Sequence, residues 1–175
     1  MASNNPSKPP EALSKDTQNV AQRFESLGTD EKLALLYYIY KKMGGSITPA
    51  APDVAQPELA PMLLGDFIEL SDEEQLNIMR AIVNRDDTDY SHAYGSLTPN
   101  NQLVVWFAWS QAMGDTVVDM PGNYQATPAI NDVLGIIERL NFEEQITVLR
   151  EIAGNMGYTS ITRVTSQETG VTPSL

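Results

Sequence analysis

The chain has 175 residues, 42% of them hydrophobic, with 23 acidic against 11 basic side chains and a formal charge of -12 at pH 7. That acidic balance argues against binding a phosphate backbone or an anionic membrane surface, and the lack of cysteine excludes disulfides and thiol catalysis. No run of about 18 apolar residues exists to span a bilayer, and the hydrophobic share suits one compact domain or two half-domains sharing a seam.

Residues 1–15 open on a Ser-, Asn- and Pro-rich stretch with neither the charged end nor the apolar core of a secretory signal, and read as a loose polar arm. The compact domain is expected over 16–158, starting with a helix from Asp16 to Ser26. A second helix begins behind Leu27-Gly28, with Glu31 placed for reciprocal capping and Leu33, Leu36, Tyr37, Tyr40 and Met43 at helical spacing. Its expected stop is Met43-Gly44.

Ile47 to Pro61 holds Pro49, Pro52, Pro57 and Pro61 and reads as an extended connection, with Pro57 able to open a helix near Glu58 to Ile68. Ser71 with Glu74 caps the next helix, and Thr98 with Pro99 at the first helical position opens another that carries Trp106, Phe107, Trp109 and Met113. Val117 to Pro128 repeats the extended connection. Thr127 then caps a helix over Ala129 to Arg139, and Asn141 with Glu144 caps a last one bearing Ile146, Leu149, Ile152 and Ala153. The fold class is therefore all-α, and residues 159–175, rich in Ser and Thr, read as a mobile tail.

The chain repeats itself at an offset of 70 residues. Leu27 steps to Leu97, Leu33 to Leu103, Met43-Gly44 to Met113-Gly114, Leu64-Gly65 to Leu134-Gly135, Glu73-Glu74-Gln75 to Glu143-Glu144-Gln145, and Arg80 to Arg150. A duplicated unit tends to pack about a pseudo-two-fold axis, whose seam suits a long, roughly symmetric ligand.

Catalytic machinery is not visible. The single histidine, His92, has no second imidazole or cysteine with which to share a metal or a nucleophile's proton. Glu73, Glu74, Glu143 and Glu144 sit in first helical turns, where they complement the helix dipole. No phosphate-cradling loop or dinucleotide fingerprint occurs, so neither an enzyme nor a metal site is expected. The aromatic sets Tyr37, Tyr38, Tyr40 and Trp106, Phe107, Trp109 remain open to two readings, ordinary core or a ligand-lined seam. Three tyrosines within four residues cannot all point one way, and buried phenols need partners.

Three strings are distinctive: Gly44-Gly45-Ser46-Ile47-Thr48-Pro49-Ala50-Ala51-Pro52, Thr98-Pro99-Asn100-Asn101-Gln102-Leu103 with Trp106, and Gln145-Ile146-Thr147-Val148-Leu149-Arg150. Together they resemble the N-terminal domain of the orange carotenoid protein family over Asp16 to Tyr158. The resemblance implies a stand-alone cyanobacterial helical carotenoid protein: two interleaved four-helix bundles holding a keto-carotenoid (canthaxanthin, echinenone or 3'-hydroxyechinenone). It implies a cytoplasmic, photoprotective quencher of singlet oxygen that is constitutively active without a light switch, and a monomer or weak homodimer. The alternatives are a constitutive quencher docked on the phycobilisome and a pigment-free helical adaptor. A separate carrier resembling the family's C-terminal domain is an implied pigment donor.

Residue by residue, Tyr40 and Trp106 match the aromatic pair that sandwiches the ligand's end ring. Leu33, Leu36, Tyr37, Ile47, Met79, Val83, Leu103, Phe107, Met120, Pro121, Tyr124 and Ile146 match positions along the polyene, and Thr147 belongs with them in the third string. Val104 and Ser110 stand where the family often has glycine, Tyr37 where it has tryptophan, and Gln111 where it has glutamate. Ser110 is kept among the expected lining residues. Arg150 matches an arginine that serves domain contact and antenna docking in two-domain relatives, although its echo at Arg80 also fits a structural role.

Overall fold

The computed structural model describes residues 15–47 and 60–159, and their regular structure is helical. The α-helices are α1 (Lys15–Glu25), α2 (Thr29–Ile47), α3 (Asp72–Asn84), α4 (Asp89–Gly95), α5 (Pro99–Ala112), α6 (Pro128–Arg139) and α7 (Phe142–Gly154). A π turn, Pro61–Gly65, runs into a 3-10 turn, Asp66–Glu69, ahead of α3. Among the described residues the only extended pairing is an isolated bridge between Met113 and Val117. The expected polar arm and tail lie outside the described residues, apart from Lys15 and Thr159 at their edges.

The helix starts follow side-chain chemistry. Ser71 and Asn141 form complete capping boxes with Glu74 and Glu144, while Thr98 and Thr127 accept from the amides of Asn101 and Ile130. Gly28 offers no cap oxygen, yet its amide donates to Glu31 Oε1 at 3.2 Å, so half of the reciprocal arrangement survives.

Three expectations are corrected. α2 does not stop at Met43-Gly44 but continues to Ile47, because a glycine costs only about 1 kcal/mol within a helix and does not block the hydrogen-bond ladder. The segment read as a helix near Glu58 to Ile68 is, from Pro61 onward, the π and 3-10 turns. There the Leu63 carbonyl accepts the Trp109 indole N–H at 2.9 Å and Phe67 stacks on that indole at 4.4 Å, so contacts with α5 hold the irregular winding. α4 was not expected. Thr88 caps it, and the 70-residue step from Val20, Phe24 and Leu27 to Tyr90, Tyr94 and Leu97 marks it as the counterpart of α1.

Packing obeys the same step. α3 and α7 begin and end 70 residues apart. α1 packs on α6 and α7 from the other half, and α4 packs on α3 and the π turn; α2 meets α3 and α6, as α5 meets α7 and the π turn. Each repeat thus lends its first two helices to the other, which interleaves a group of α1, α2, α6 and α7 with one of α3, α4, α5 and Pro61–Glu69. Side-chain amide bonds recur too: the buried Gln75 donates from Nε2 to the Phe67 carbonyl at 3.0 Å, and the half-buried Gln145 from Nε2 to the Ile137 carbonyl at 2.9 Å. The axial contact is α2 against α5, the two aromatic helices.

Candidate ligand cavity

Between α2, α3, α5 and the 113–124 connection lies a cavity of about 310 Å³. α2 contributes Asp30, Leu33, Ala34, Leu36, Tyr37 and Tyr40; α3 contributes Leu76, Met79 and Arg80; α5 contributes Trp106, Trp109 and Ser110. Met113, Val118, Asp119, Met120, Pro121 and Tyr124 close it from the connection.

The aromatic walls are apolar because their polar edges are spent elsewhere. The Trp106 indole N–H donates to Tyr94 Oη at 2.8 Å, and that hydroxyl donates to the Ala153 carbonyl at 2.7 Å. Tyr40 Oη donates to the Leu103 carbonyl at 3.2 Å. Burial, with a smaller effect from Tyr94, pushes the Tyr40 phenol well above its ordinary value, so it stays neutral. Ser110 Oγ donates to the Phe107 carbonyl at 2.7 Å within its own helix. Trp109 stands edge-on to Trp106, with centroids 5.1 Å apart and planes at 88°, and its N–H is held by Leu63. With their polar edges bound, the rings offer the cavity aromatic surface, and such surface suits an extended π system.

The connection is pinned at both ends. Gln75, buried at the base of α3, donates to the Thr116 carbonyl at 2.9 Å and accepts from the Val118 amide at 2.7 Å. At the far end Thr127 Oγ1 donates to Glu31 Oε2 at 2.5 Å; that hydroxyl first, and the Gly28 amide second, hold the Glu31 carboxyl below its usual range. Tyr124 is shifted upward, chiefly by burial and then by Tyr38 and the carboxylates Glu31 and Asp30.

Of the residues singled out in the sequence, Leu33, Leu36, Tyr37, Tyr40, Met79, Trp106, Ser110, Met120, Pro121 and Tyr124 line this cavity. Phe107 lies behind it, tilted against Tyr40 at 6.4 Å, and both rings crowd the bare Cα of Gly44. Val83 and Leu103 are buried in the core next to it. Ile146, Thr147 and Arg150 are elsewhere, on α7: Thr147 Oγ1 donates to the Glu143 carbonyl at 2.8 Å, and Arg150 Nε donates to Asn100 Oδ1 at 2.7 Å. The side chain of Ile47 lies outside the described residues.

The repeat explains this division. Stepping the cavity wall forward by 70 turns Leu33, Tyr37, Leu76 and Arg80 into Leu103, Phe107, Ile146 and Arg150, so these four outliers are the second half's counterparts of lining residues. The counterpart of the covering 118–124 stretch is 48–54, which lies outside the described residues. Trp109, from the aromatic set left open between core and ligand seam, lines the cavity as well, and Asp30, Ala34, Leu76, Arg80, Met113, Val118 and Asp119 line it without having been singled out for it. Leu76 was readable from its helical spacing to Met79 and Arg80, and Asp30 from its step to Asn100. His92 stands apart, with Nε2 2.6 Å from Asp87 Oδ1 and its ring 4.4 Å from Tyr158.

Fold and cavity define an all-helical protein with an aromatic-walled, largely apolar cavity. Residues 10–159 match the family model described as orange carotenoid protein, N-terminal, and the chain belongs to that family. It is 39% identical over 135 residues to an orange carotenoid-binding domain-containing protein of Nostoc sp., covering 77% of this chain and 79% of that one. It is 34% identical over 139 residues to the orange carotenoid-binding protein of Synechocystis sp., of which it spans only 44%. Among solved structures, the red carotenoid protein of Anabaena (Nostoc) sp. binding canthaxanthin superposes with a TM-score of 0.71 at 35% identity, over 82% of this chain and 99% of that one. The orange carotenoid protein from the same organism, also binding canthaxanthin, gives 0.75 at 31% identity, over 87% of this chain and 50% of that one. The family is one of carotenoid-binding proteins, not of enzymes.

Proposed function

We propose that the chain is a carotenoid carrier whose bound keto-carotenoid, such as canthaxanthin, quenches singlet oxygen. The observation that carries this reading is the cavity wall: Tyr40 and Trp106 line it while Leu103 and Tyr94 take up their polar edges. A conjugated polyene accepts the excitation of singlet oxygen and sheds it as heat. The protein's task is to keep that polyene dispersed and shaped, which needs no acid or base.

At about 310 Å³ the cavity sits at the low end of the roughly 300–1000 Å³ of small-molecule sites. It receives an end ring and the start of the chain. A rod of roughly 30 Å, the length of a helix of about 20 residues, continues along the repeat axis past Leu103, Phe107 and Ile146. No helix among the described residues is long and apolar enough to cross a membrane, in keeping with a water-soluble carrier.

Docking on a light-harvesting antenna is favoured as a second role by one observation. Arg150 is exposed and bonds a neutral amide, Asn100, whereas its counterpart Arg80 is neutralised by Asp30. The Arg150 charge is therefore available to an acidic partner. Singlet-oxygen phosphorescence lifetimes with holoprotein and apoprotein test the first reading, and pigment-dependent shortening is expected. Phycobilisome fluorescence with wild type and Arg150→Glu tests the second, and equal quenching by both proteins would remove that residue from docking.

A further inference from the structure

The charged residues that line the cavity are Asp30 from the first turn of α2, Arg80 from α3 and Asp119 from the connection, and of these Asp30 and Arg80 are paired. Arg80 Nε donates to Asp30 Oδ1 at 2.9 Å and Nη2 to Asp30 Oδ2 at 3.1 Å, a fork on a carboxylate. This uses two of the five guanidinium hydrogens; Nη1 bonds nothing among the described residues. Both side chains are partly exposed, 40% for Arg80 and 62% for Asp30, so the pair faces water on one side and the cavity on the other.

A partly exposed ion pair adds most to stability when it is bidentate, as here, so the fork makes a modest contribution to the fold and leaves part of the guanidinium unused beside the cavity. The repeat supplies a comparison, because the pair at the same step is Arg150 with Asn100, joined by one bond and away from this cavity. The half that owns the cavity has the rigid, bidentate version. Holding Nε and Nη2 on Asp30 fixes the plane of the guanidinium and leaves Nη1 oriented by the fork.

We infer that the Asp30–Arg80 pair recognises an oxygen on the outer end of the ligand, so that the cavity selects an end ring bearing a carbonyl or hydroxyl over a hydrocarbon ring. A carbonyl accepts from Arg80 Nη1; a hydroxyl accepts there as well and donates to Asp30. A hydrocarbon ring leaves the arginine nothing to bond and displaces its water. This rests on the carotenoid reading and adds the chemistry of one end.

The test loads apoprotein with an equimolar mixture of β-carotene, canthaxanthin and zeaxanthin, then extracts and quantifies the bound pigment by chromatography. Wild type is expected to enrich the two oxygenated pigments about tenfold over β-carotene, which corresponds to about 1.4 kcal/mol. Arg80→Met keeps the length of the stem, removes every donor, and should bring the ratio near that of the input. Asp30→Asn copies the second-half pair, keeps an acceptor for Arg80, and should retain the enrichment for canthaxanthin. Circular dichroism establishes that each variant is folded. An Arg80→Met protein that loads fully with the wild-type ratio overturns the inference while leaving the carotenoid reading intact. A wild type that takes up no pigment overturns both.

Discussion

Tyr94→Phe removes one oxygen from a fully buried site and separates the orientation of Trp106 from its presence. Tyr94 Oη accepts the Trp106 indole N–H at 2.8 Å and donates to the Ala153 carbonyl at 2.7 Å. The carbonyl keeps a partner after the change, because the Met156 amide donates to it at 3.3 Å. The indole N–H does not: Trp109 stands edge-on at 5.1 Å and blocks a swing toward another acceptor. The cost is therefore that of one orphaned buried donor, about 2 kcal/mol within a range of roughly 1–3. For a chain of this size that lowers Tm by about 4–8 °C. Thermal unfolding of the apoprotein followed by circular dichroism measures it, and the absorption maximum of the loaded protein reports the accompanying tilt of the Trp106 face. A Tm within about 1 °C of wild type, together with an unmoved band, would refute the claim that Tyr94 sets this wall.

Gly44→Ala adds a methyl 3.0 Å from Tyr40 Cδ1 and 3.2 Å from Phe107 Cδ1, while gaining about 1 kcal/mol of helix propensity; stability should hardly move, but the pigment band should shift as both rings give way. Gln75→Leu strips the anchors of Thr116 and Val118, so a loss of about 2–4 kcal/mol and faster amide hydrogen exchange over 116–120 are expected. Glu31 is held below its unfolded value of about 4.3, so its contribution is full above that pH and fades as pH falls through the lower folded value. Urea midpoints of wild type and Glu31→Gln should accordingly differ at pH 7 and converge in acid; a gap that persists in acid would show that charge is not the cause.

The helix starts were legible because each is written locally, by Ser71, Thr98, Thr127 or Asn141 with an acidic residue or proline behind it. Much of the cavity wall was legible for a related reason: the i, i+3, i+4 spacing of Leu33, Leu36, Tyr37 and Tyr40 puts them on one helix face. What local pattern could not supply was decided by distant partners. The π and 3-10 turns depend on Phe67 and Leu63 meeting Trp109, 42 and 46 residues away. The Asp30–Arg80 pair spans 50 residues, and only the repeat, through Asn100 and Arg150, hinted at it. α4 was hidden because Asp89–Gly95 is short and carries mixed polarity, although the step from α1 led to it.

The central claim, that Tyr40 and Trp106 wall a carotenoid site, is tested most directly by the visible spectrum and extracted pigment of protein purified from cells that make keto-carotenoids, with Tyr40→Ala and Trp106→Ala prepared alongside. The account predicts a red-shifted carotenoid band at about one pigment per chain, unmoved by strong blue-green light, and displaced or weakened in both variants while their helical signal persists. A folded but colourless protein, or a coloured one whose band and yield ignore both substitutions, would contradict it.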